Sequence, residues 1–596
     1  MEKKKIKILS DRFEKEFIPF VQRPARYIGG EVNQVKKDIA GSVLTVAICF
    51  PDVYEIAMSN TGIAIIYDIL NSIEDVAAER VFSPWIDAEK ILRQKGIELF
   101  SLESKAALSS FDVIGFSLTN ELCYTNVLNM LDLGGIEIHT NKRTEDDPIV
   151  IAGGLMANCC EPIADFIDLF VIGQGEDAAV QLIELIKKEK RAGTGKKEIL
   201  KKAAMQFDWA YVPQFYDVQY EQDKIKSITP LFEGLPEKLK SAVVADFENA
   251  RVPLKPIVPF AKAVHERVSI EIMRGCPGRC RFCQASFCRR PIMYRSVEKI
   301  LEIAKKSYEA TGFDTISLLS LSTADYPHLE ELAGKLHAYF KDKHVGISLP
   351  SLRVDQQLHL LPELAASVRK SGLTIAVEAA SQRVRLIVNK KLHNSDLFVA
   401  VEEAYRSGWH KLKLYFMAGL PGETEDDLRQ IVRLSYDLAK LRKDIDGKTG
   451  QINAAVSWLV PKPHTPLQWM GQKPAEYFIA AKKIILDEKK KLDAKFIQLK
   501  FHEIERSVLE SAMGRGDRRM ANVVENAWKK GARFDLWNET FDYNLWQAAF
   551  VECGFDLEKN AQKEFDTGQI LPWDHLGGPQ KKYLLSHYNQ ALSEQA

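Results

Sequence analysis

Arg274-Gly275-Cys276-Pro277-Gly278-Arg279-Cys280-Arg281-Phe282-Cys283 gathers three of the chain's nine cysteines into one loop, spaced C-x3-C-x2-C. The apolar run Val268–Met273 before it predicts a buried strand. Pro277 and Gly278 supply a tight turn that folds the thiols toward one point. Three thiolates hold three irons of a cubic [4Fe–4S] cluster and leave the fourth iron open, where four thiolates would close it. An open iron can chelate a substrate or cofactor. Arg274, Arg279, Arg281, Arg289 and Arg290 crowd the loop, and their charge is expected to favour thiolate over thiol. Adding Cys288 gives four sulfurs, enough for a tetrahedral zinc knot, which is the alternative reading.

The residues beyond the loop argue against zinc. Residues 263–470 repeat a strand–helix unit six times. The expected strands are Val268–Met273, Thr315–Leu319, Val345–Leu349, Leu373–Glu378, Lys411–Phe416 and Asn453–Leu459. Helices Val297–Thr311, Pro327–Lys341, Pro362–Ser371, Leu397–Ser407 and Glu425–Leu441 separate them. This predicts an open, partial (β/α)6 barrel with its chemistry on the loops after the strands. The cysteine loop then sits at the top of a cup able to enclose a cofactor. Other top-edge candidates are Ser320, Ser322 and Thr323 after strand two, Arg353 after strand three, and Glu378 with Ser381 after strand four. A carboxylate such as Glu378 in a barrel mouth is costly unless partnered. Gly419-Leu-Pro421-Gly422-Glu423-Thr424 follows strand five. After strand six, Pro461-Lys462-Pro463-His464-Thr465-Pro466 reads as a stiff strap offering Lys462 and His464 to the mouth.

The cysteine loop, with Phe282 just before its third cysteine, resembles the signature of the radical S-adenosylmethionine (SAM) superfamily. The whole chain, through Leu571-Pro-Trp573-Asp574-His575, resembles a group of bacterial radical SAM proteins with an N-terminal cobalamin-binding-like domain. The resemblance implies that Cys276, Cys280 and Cys283 hold the cluster and that the open iron binds the amino and carboxylate groups of SAM. An electron from the cluster then cleaves SAM to methionine and a 5′-deoxyadenosyl radical, which takes hydrogen from a substrate. The protein's share is binding, orientation and exclusion of solvent. The resemblance also implies cofactor-binding roles for Phe282, Ser320, Ser322, Arg353, Glu378, Ser381, Gly419 and Pro421. The usual Gly-Gly-Glu after strand two is replaced here by Ser-Leu-Ser-Thr. A reductant such as flavodoxin or ferredoxin is implied as a partner.

Residues 1–195 alternate strands and helices and predict a parallel, doubly wound sheet with ligand loops at the strands' carboxyl ends. The strands are Ser42–Phe50, a short one near Arg80–Ser83, Phe111–Leu118, Pro148–Ala152 and Phe166–Ile172. The pattern is similar to a cobalamin-binding domain, and Ser117, Gly153, Gly154 and Gly175 match its nucleotide-tail loops. Its Asp-x-His-x-x-Gly loop is absent, since Val53 and Tyr54 follow Asp52. The resemblance thus implies cobalamin bound without a histidine ligand, and a cofactor-free domain is the alternative. Cys49, Cys123, Cys159 and Cys160 fall near carboxyl ends of strands and offer a different reading, a second cluster of the methylthiotransferase kind.

Residues 196–262 read as an irregular linker with a strand pair from Tyr211 and a proline-marked crossing. Residues 471–596 read as a mainly helical region whose Trp528, Phe534, Trp537, Trp546 and Phe550 form a core. The turn Arg515-Gly516-Asp517-Arg518-Arg519 is the one place there suited to a phosphate.

A chain of 596 residues holds three or so domains. Its 81 basic residues equal its 81 acidic ones, so no global field recruits nucleic acid or membrane. No apolar run is long enough to span a bilayer, and the charged start lacks a signal-peptide core. Unpaired thiols and a cluster motif suit a reducing cytoplasm. The favoured function is a radical SAM enzyme that abstracts hydrogen, extended to methyl transfer if the first domain carries cobalamin. The alternatives are methylthiolation of RNA or protein, or a nucleic-acid or ribosome-associated protein with a structural cluster.

Overall fold

A computed structural model describes residues 5–348 and 373–595. Arg353, the foreseen helix Pro362–Ser371 and the end of the third barrel strand lie outside the described residues.

Strands β1 (Leu44–Phe50) and β2 (Val76–Phe82) are each buried along all seven residues, as a sheet covered on both faces requires. Between them α1 (Thr61–Ser72) starts at Asn60, whose side chain accepts the Ile63 N–H. There follow α2 (Ile86–Lys95), β3 (Val113–Ser117), α3 (Tyr124–Leu133), β4 (Ile149–Gly153), β5 (Leu169–Val171), α4 (Gly175–Arg191), α5 (Lys196–Gln206) and β6 (Ala210–Tyr211). The sheet order is β2-β1-β3-β4-β5-β6, parallel except for β6. This is the expected doubly wound sheet, and its order reverses between β1 and β3, the place where such folds take their ligands. The short strand foreseen at Arg80–Ser83 is the C-terminal part of a full edge strand. The stretch after 195 is less irregular than its composition suggested, because it supplies α5 and pairs β6 onto β5. The strand pair foreseen within Tyr211–Glu221 forms differently: its first part, β6, joins β5, and β7 (Tyr216–Glu221) makes a hairpin with β8 (Lys224–Pro230) beyond that stretch.

The barrel is built from two arcs. The first has order β11-β10-β9, with β9 (Val268–Glu271), β10 (Thr315–Leu319) and β11 (Gly346–Ser348). The second has order β12-β13-β14-β15, with β12 (Leu373–Glu378), β13 (Lys411–Ala418), β14 (Gln451–Trp458) and β15 (Ile497–Phe501). All pairs are parallel. The strand β15 extends the expected six. Its Ile497-Gln-Leu-Lys-Phe501 alternation lies beyond a long helix, outside the six-unit repeat. Helices α6 (Val297–Thr311), α7 (Leu329–Phe340), α8 (Asn394–Arg406), α9 (Glu425–Lys440) and α10 (Ala475–Lys491) cover the outside. Leu412, Leu414 and Phe416 of β13 pack beneath α8 to α10, so Lys413 and Tyr415 face the concave side.

The C-terminal helices are α11 (Ile504–Gly514), α12 (Met520–Lys530), α13 (Tyr543–Glu552), α14 (Leu557–Gln562) and α15 (Lys581–Ser593). The foreseen aromatics Trp528, Trp546 and Phe550 are buried, in one continuous core with Val46, Phe116 and Ile163 of the first domain. The helical region thus closes on the doubly wound sheet.

Candidate active site

The three loop cysteines are partly buried, and none of the nine cysteines forms a disulfide. A Cβ added to Gly278 would lie 3.3 Å from Cys276 Sγ and 3.9 Å from Cys280 Sγ, so both thiols flank this glycine. The Cys283 N–H donates to Cys280 O over 2.9 Å and closes the turn. Cys288 is near Cys283 and bonded to the Asn158 side chain. Among the described residues no three His, Cys, Asp or Glu side chains close round a single metal ion. The loop offers three thiols, the number that leaves one iron of a [4Fe–4S] cluster open.

The arginines do not act as the sequence suggested. Arg274 donates to Glu271 and Glu176 at 2.6 Å each and lies over Phe247. Arg281 is buried, bonded to the Leu386 and Ile387 carbonyls, and paired with Glu594. Arg279 donates to Tyr583 Oη and Arg290 to Gly278 O. These donors brace the loop, and burial pushes the Cys280 thiol up to about 12, with the Lys390 charge working against it. Cluster assembly itself must stabilise the thiolate.

Lys390 also stands 3.8 Å from Glu378. Glu378 ends β12 at a bulge, with φ of +69°, a strained conformation that re-aims its carboxylate. Burial raises its pKa and Lys390 works against that. Glu378, Lys390 and Cys280 therefore meet at the barrel mouth. Phe282 packs on Ala379, Val384, Val388 and Leu420, an apolar patch joining the cysteine loop to the loops of β12 and β13. Gly419 has φ of +90°, and a Cβ there would lie 2.8 Å from the Phe478 ring. Its N–H donates to Glu423, as does Tyr477 Oη, and burial pushes Glu423 up to about 7. Pro421 beside it is buried.

Other foreseen contacts are already engaged. Ser381 caps the short helix Gln382–Ile387 by accepting the Val384 N–H. Ser320 Oγ lies 2.9 Å from Thr323 Oγ1, and Ser322 donates to Asp325. The proline strap is already bonded to the first domain and α11: Lys462 pairs with Glu121 and Glu510, and His464 Nε2 lies 2.8 Å from Asn158 O. The cationic turn is likewise internal. Arg515 donates to the Ala561 and Lys563 carbonyls, Arg518 pairs with Glu161, and Arg519 pairs with Asp517. Sequence reasoning missed Lys390, whose Asn-Lys-Lys setting has no pattern of its own. It also missed α15, which lays Tyr583, Gln590 and Glu594 over the cysteine loop.

In the first domain, Ser117 ends β3 in register with Gly153. Gly154 has φ of +105°, and a Cβ there would lie 2.5 Å from Leu118 O. Gly175 opens α4, beside Gln174 and Glu176, which both accept from Arg274. The second-cluster candidates are core residues: Cys49, Cys123, Cys159 and Cys160 are all buried, and Cys123 Sγ donates to Asn120 O.

Fold and site together define a partial α/β barrel protein with an open three-cysteine loop, preceded by a doubly wound domain. A family profile described as "Radical SAM superfamily" matches residues 270–435, and one described as "Radical SAM proteins, N-terminal" matches residues 62–213. The chain belongs to the radical SAM superfamily and is an enzyme of that class, whose cofactors are a [4Fe–4S] cluster and SAM. It is 28% identical over 436 residues to the uncharacterised protein MJ0966 of Methanocaldococcus jannaschii, covering 73% of this chain and 84% of that one. It is also 28% identical over 197 residues to the ribosomal protein uS12 methylthiotransferase RimO of Desulfotalea psychrophila, covering 31% and 42%. Among solved structures, the radical SAM methyltransferase TsrM from Kitasatospora setae, with cobalamin and a [4Fe–4S] cluster bound, aligns at a TM-score of 0.45 and 14% identity, covering 69% of this chain and 72% of that one. No described helix is long and apolar enough to cross a membrane.

Proposed function

We propose that Cys276, Cys280 and Cys283 carry the cluster, and that the substrate is held on the concave wall of the second arc and gives up a hydrogen atom there. The observation that carries this is the meeting of Cys280, Glu378 and Lys390 at the mouth, beside the three-cysteine loop. When bound, cluster and SAM supply a one-electron cleavage of the C5′–S bond, and the fragment formed leaves as 5′-deoxyadenosine once it has gained the substrate's hydrogen. The electron comes from a small carrier of the flavodoxin or ferredoxin kind. Glu378 orients SAM through its ribose hydroxyls or ammonium group. Phe282 excludes water from the cluster side, and the Gly419–Pro421 loop offers backbone to adenine.

The concave wall favours one substrate class among those the sequence left open. Exposed Lys413 lies beside Tyr415, and Tyr415, Ala455 and exposed Lys500 share one cross-strand row. Lysines flanking an aromatic ring suit a phosphate-bearing nucleotide. This supports RNA modification as the second reading. Its methylthiotransferase form needs a second cluster, for which the candidates Cys49, Cys123, Cys159 and Cys160 are buried in the first domain.

The test is anaerobic reconstitution. We expect four irons per chain and release of 5′-deoxyadenosine on adding SAM and reductant. Cys280→Ala should lose both while keeping the melting temperature of the metal-free protein. SAM cleavage by Cys280→Ala would remove the assignment.

A further inference from the structure

The resemblance to cobalamin-binding domains points to one place for a corrin: the carboxyl ends of β1, β3, β4 and β5, around the β1/β3 switch point. Each of those loops is bonded to another part of this chain. After β1, Asp52 Oδ1 accepts Trp537 Nε1–H over 3.0 Å. After β3, Glu121 pairs with Lys462, and Asn126 bridges Pro51 O to the Phe534 N–H. After β4, Asn158 O lies against His464 and Glu161 holds Arg518. After β5, Gln174 and Glu176 hold Arg274 of the cysteine loop.

The switch point itself is filled by residues 533–537. Phe534 and Trp537 pack against Trp85 with ring centroids 4.8 and 5.2 Å apart. Asp535 accepts from Thr125 Oγ1 at 2.8 Å and from Trp546 Nε1 at 2.9 Å. Asp52, Thr125, Asn126 and Asp535 are each at most 7% exposed. A nucleotide tail in this crevice would displace two aromatic rings, take one hydrogen bond each from buried Asp52 and Asn126, and pull Asp535 from Thr125 and Trp546, each a costly loss. The residues do not fit a corrin in this arrangement.

We infer that the segment Arg533–Trp537 is the resident ligand of the first domain, occupying the crevice from within, and that this chain works without cobalamin. The domain then serves as the platform that anchors the barrel and the C-terminal helices. Hydrogen abstraction proceeds by direct contact, with no methyl group relayed through cobalt.

The experiment uses the full chain with its cluster rebuilt. It is incubated with excess hydroxocobalamin, desalted, and its corrin counted by absorbance against protein and iron. We expect fewer than about 0.1 corrin per chain. Amide hydrogen exchange of residues 533–537 should be slow and unchanged by 1 mM hydroxocobalamin. About one corrin per chain, or a tenfold or greater speeding of that exchange on adding it, would overturn the inference. Trp537→Ala adds an arm independent of corrin: it should melt several degrees lower with or without hydroxocobalamin, and a corrin-dependent recovery would equally overturn the idea. Failure to cleave SAM would sink the proposed function and leave this inference standing, while corrin binding would do the reverse.

Discussion

Arg518→Met should loosen the joint between the first domain and the C-terminal helices, and the size of the effect is set by one carboxylate. Glu161 is 3% exposed and accepts from Arg518 Nε at 2.9 Å, Arg518 Nη2 at 3.3 Å and Tyr211 Oη at 2.5 Å. Burial works against its charge, but Arg518 and His575 more than offset this and hold the carboxyl down at about 2, against an ordinary 4.5. At about 1.4 kcal/mol per pH unit, the fold favours the ionised form by about 3 kcal/mol. Removing Arg518 leaves that charge buried with its main counter-charge gone, a loss of about 3–5 kcal/mol.

A destabilisation of about 3 kcal/mol corresponds to a fall of about 6 to 12 °C in melting temperature, taking about 2–4 °C per kcal/mol for a unit of this size. The assay is a thermal melt followed by tryptophan fluorescence, since Trp528, Trp537 and Trp546 all lie in this joint. Because the folded carboxyl is depressed, its stabilisation is fully present above pH 4.5 and is lost as pH falls toward 2. The wild-type melt should therefore show no change from Glu161 between about pH 7 and 5, then drop below pH 4.5, and the variant should lack that drop. Pairing the change with Glu161→Gln should restore most of the loss, because a neutral amide needs no counter-charge. A variant melting within about 2 °C of wild type, or a double variant no better than the single one, would refute the reasoning.

Glu378→Gln should weaken SAM binding at least tenfold by equilibrium titration with four irons retained, and unchanged affinity would take Glu378 out of the SAM site. His464→Gln tests a different pH window. Burial pushes the ring down to about 4, below its ordinary 6.5, so its neutral form stabilises the fold above 6.5 and that contribution is lost as pH falls through 4. The wild-type melt should fall between pH 6.5 and 4, and the glutamine variant should be flatter there; identical pH slopes would remove His464 as the cause.

The features legible in the sequence are those with local causes. The turn at Pro277-Gly278 and the buried strands β1 and β10 each arise from a few neighbouring residues, and each stands where those residues put it. Glu378 was legible for the same reason: a carboxylate ending an apolar strand has to meet something. Ser381 shows where that logic fails, because a serine before a short helix serves equally well as a cap or as a ligand, and only the helix decides. The larger failure concerns partners. Asp52 at the end of β1 is the same signal whether it faces a cofactor or an indole, and the indole it meets is 485 residues away in the chain. Arg518 and Lys462 likewise read as exposed cations until the sheet loops that bury them are in place. A doubly wound domain presents such loops regardless of what fills them, so the sequence of the domain cannot say whether its ligand is a corrin or a piece of its own chain. That decision rests with residues 533–537, whose apolar side chains are indistinguishable in sequence from those of any helical core.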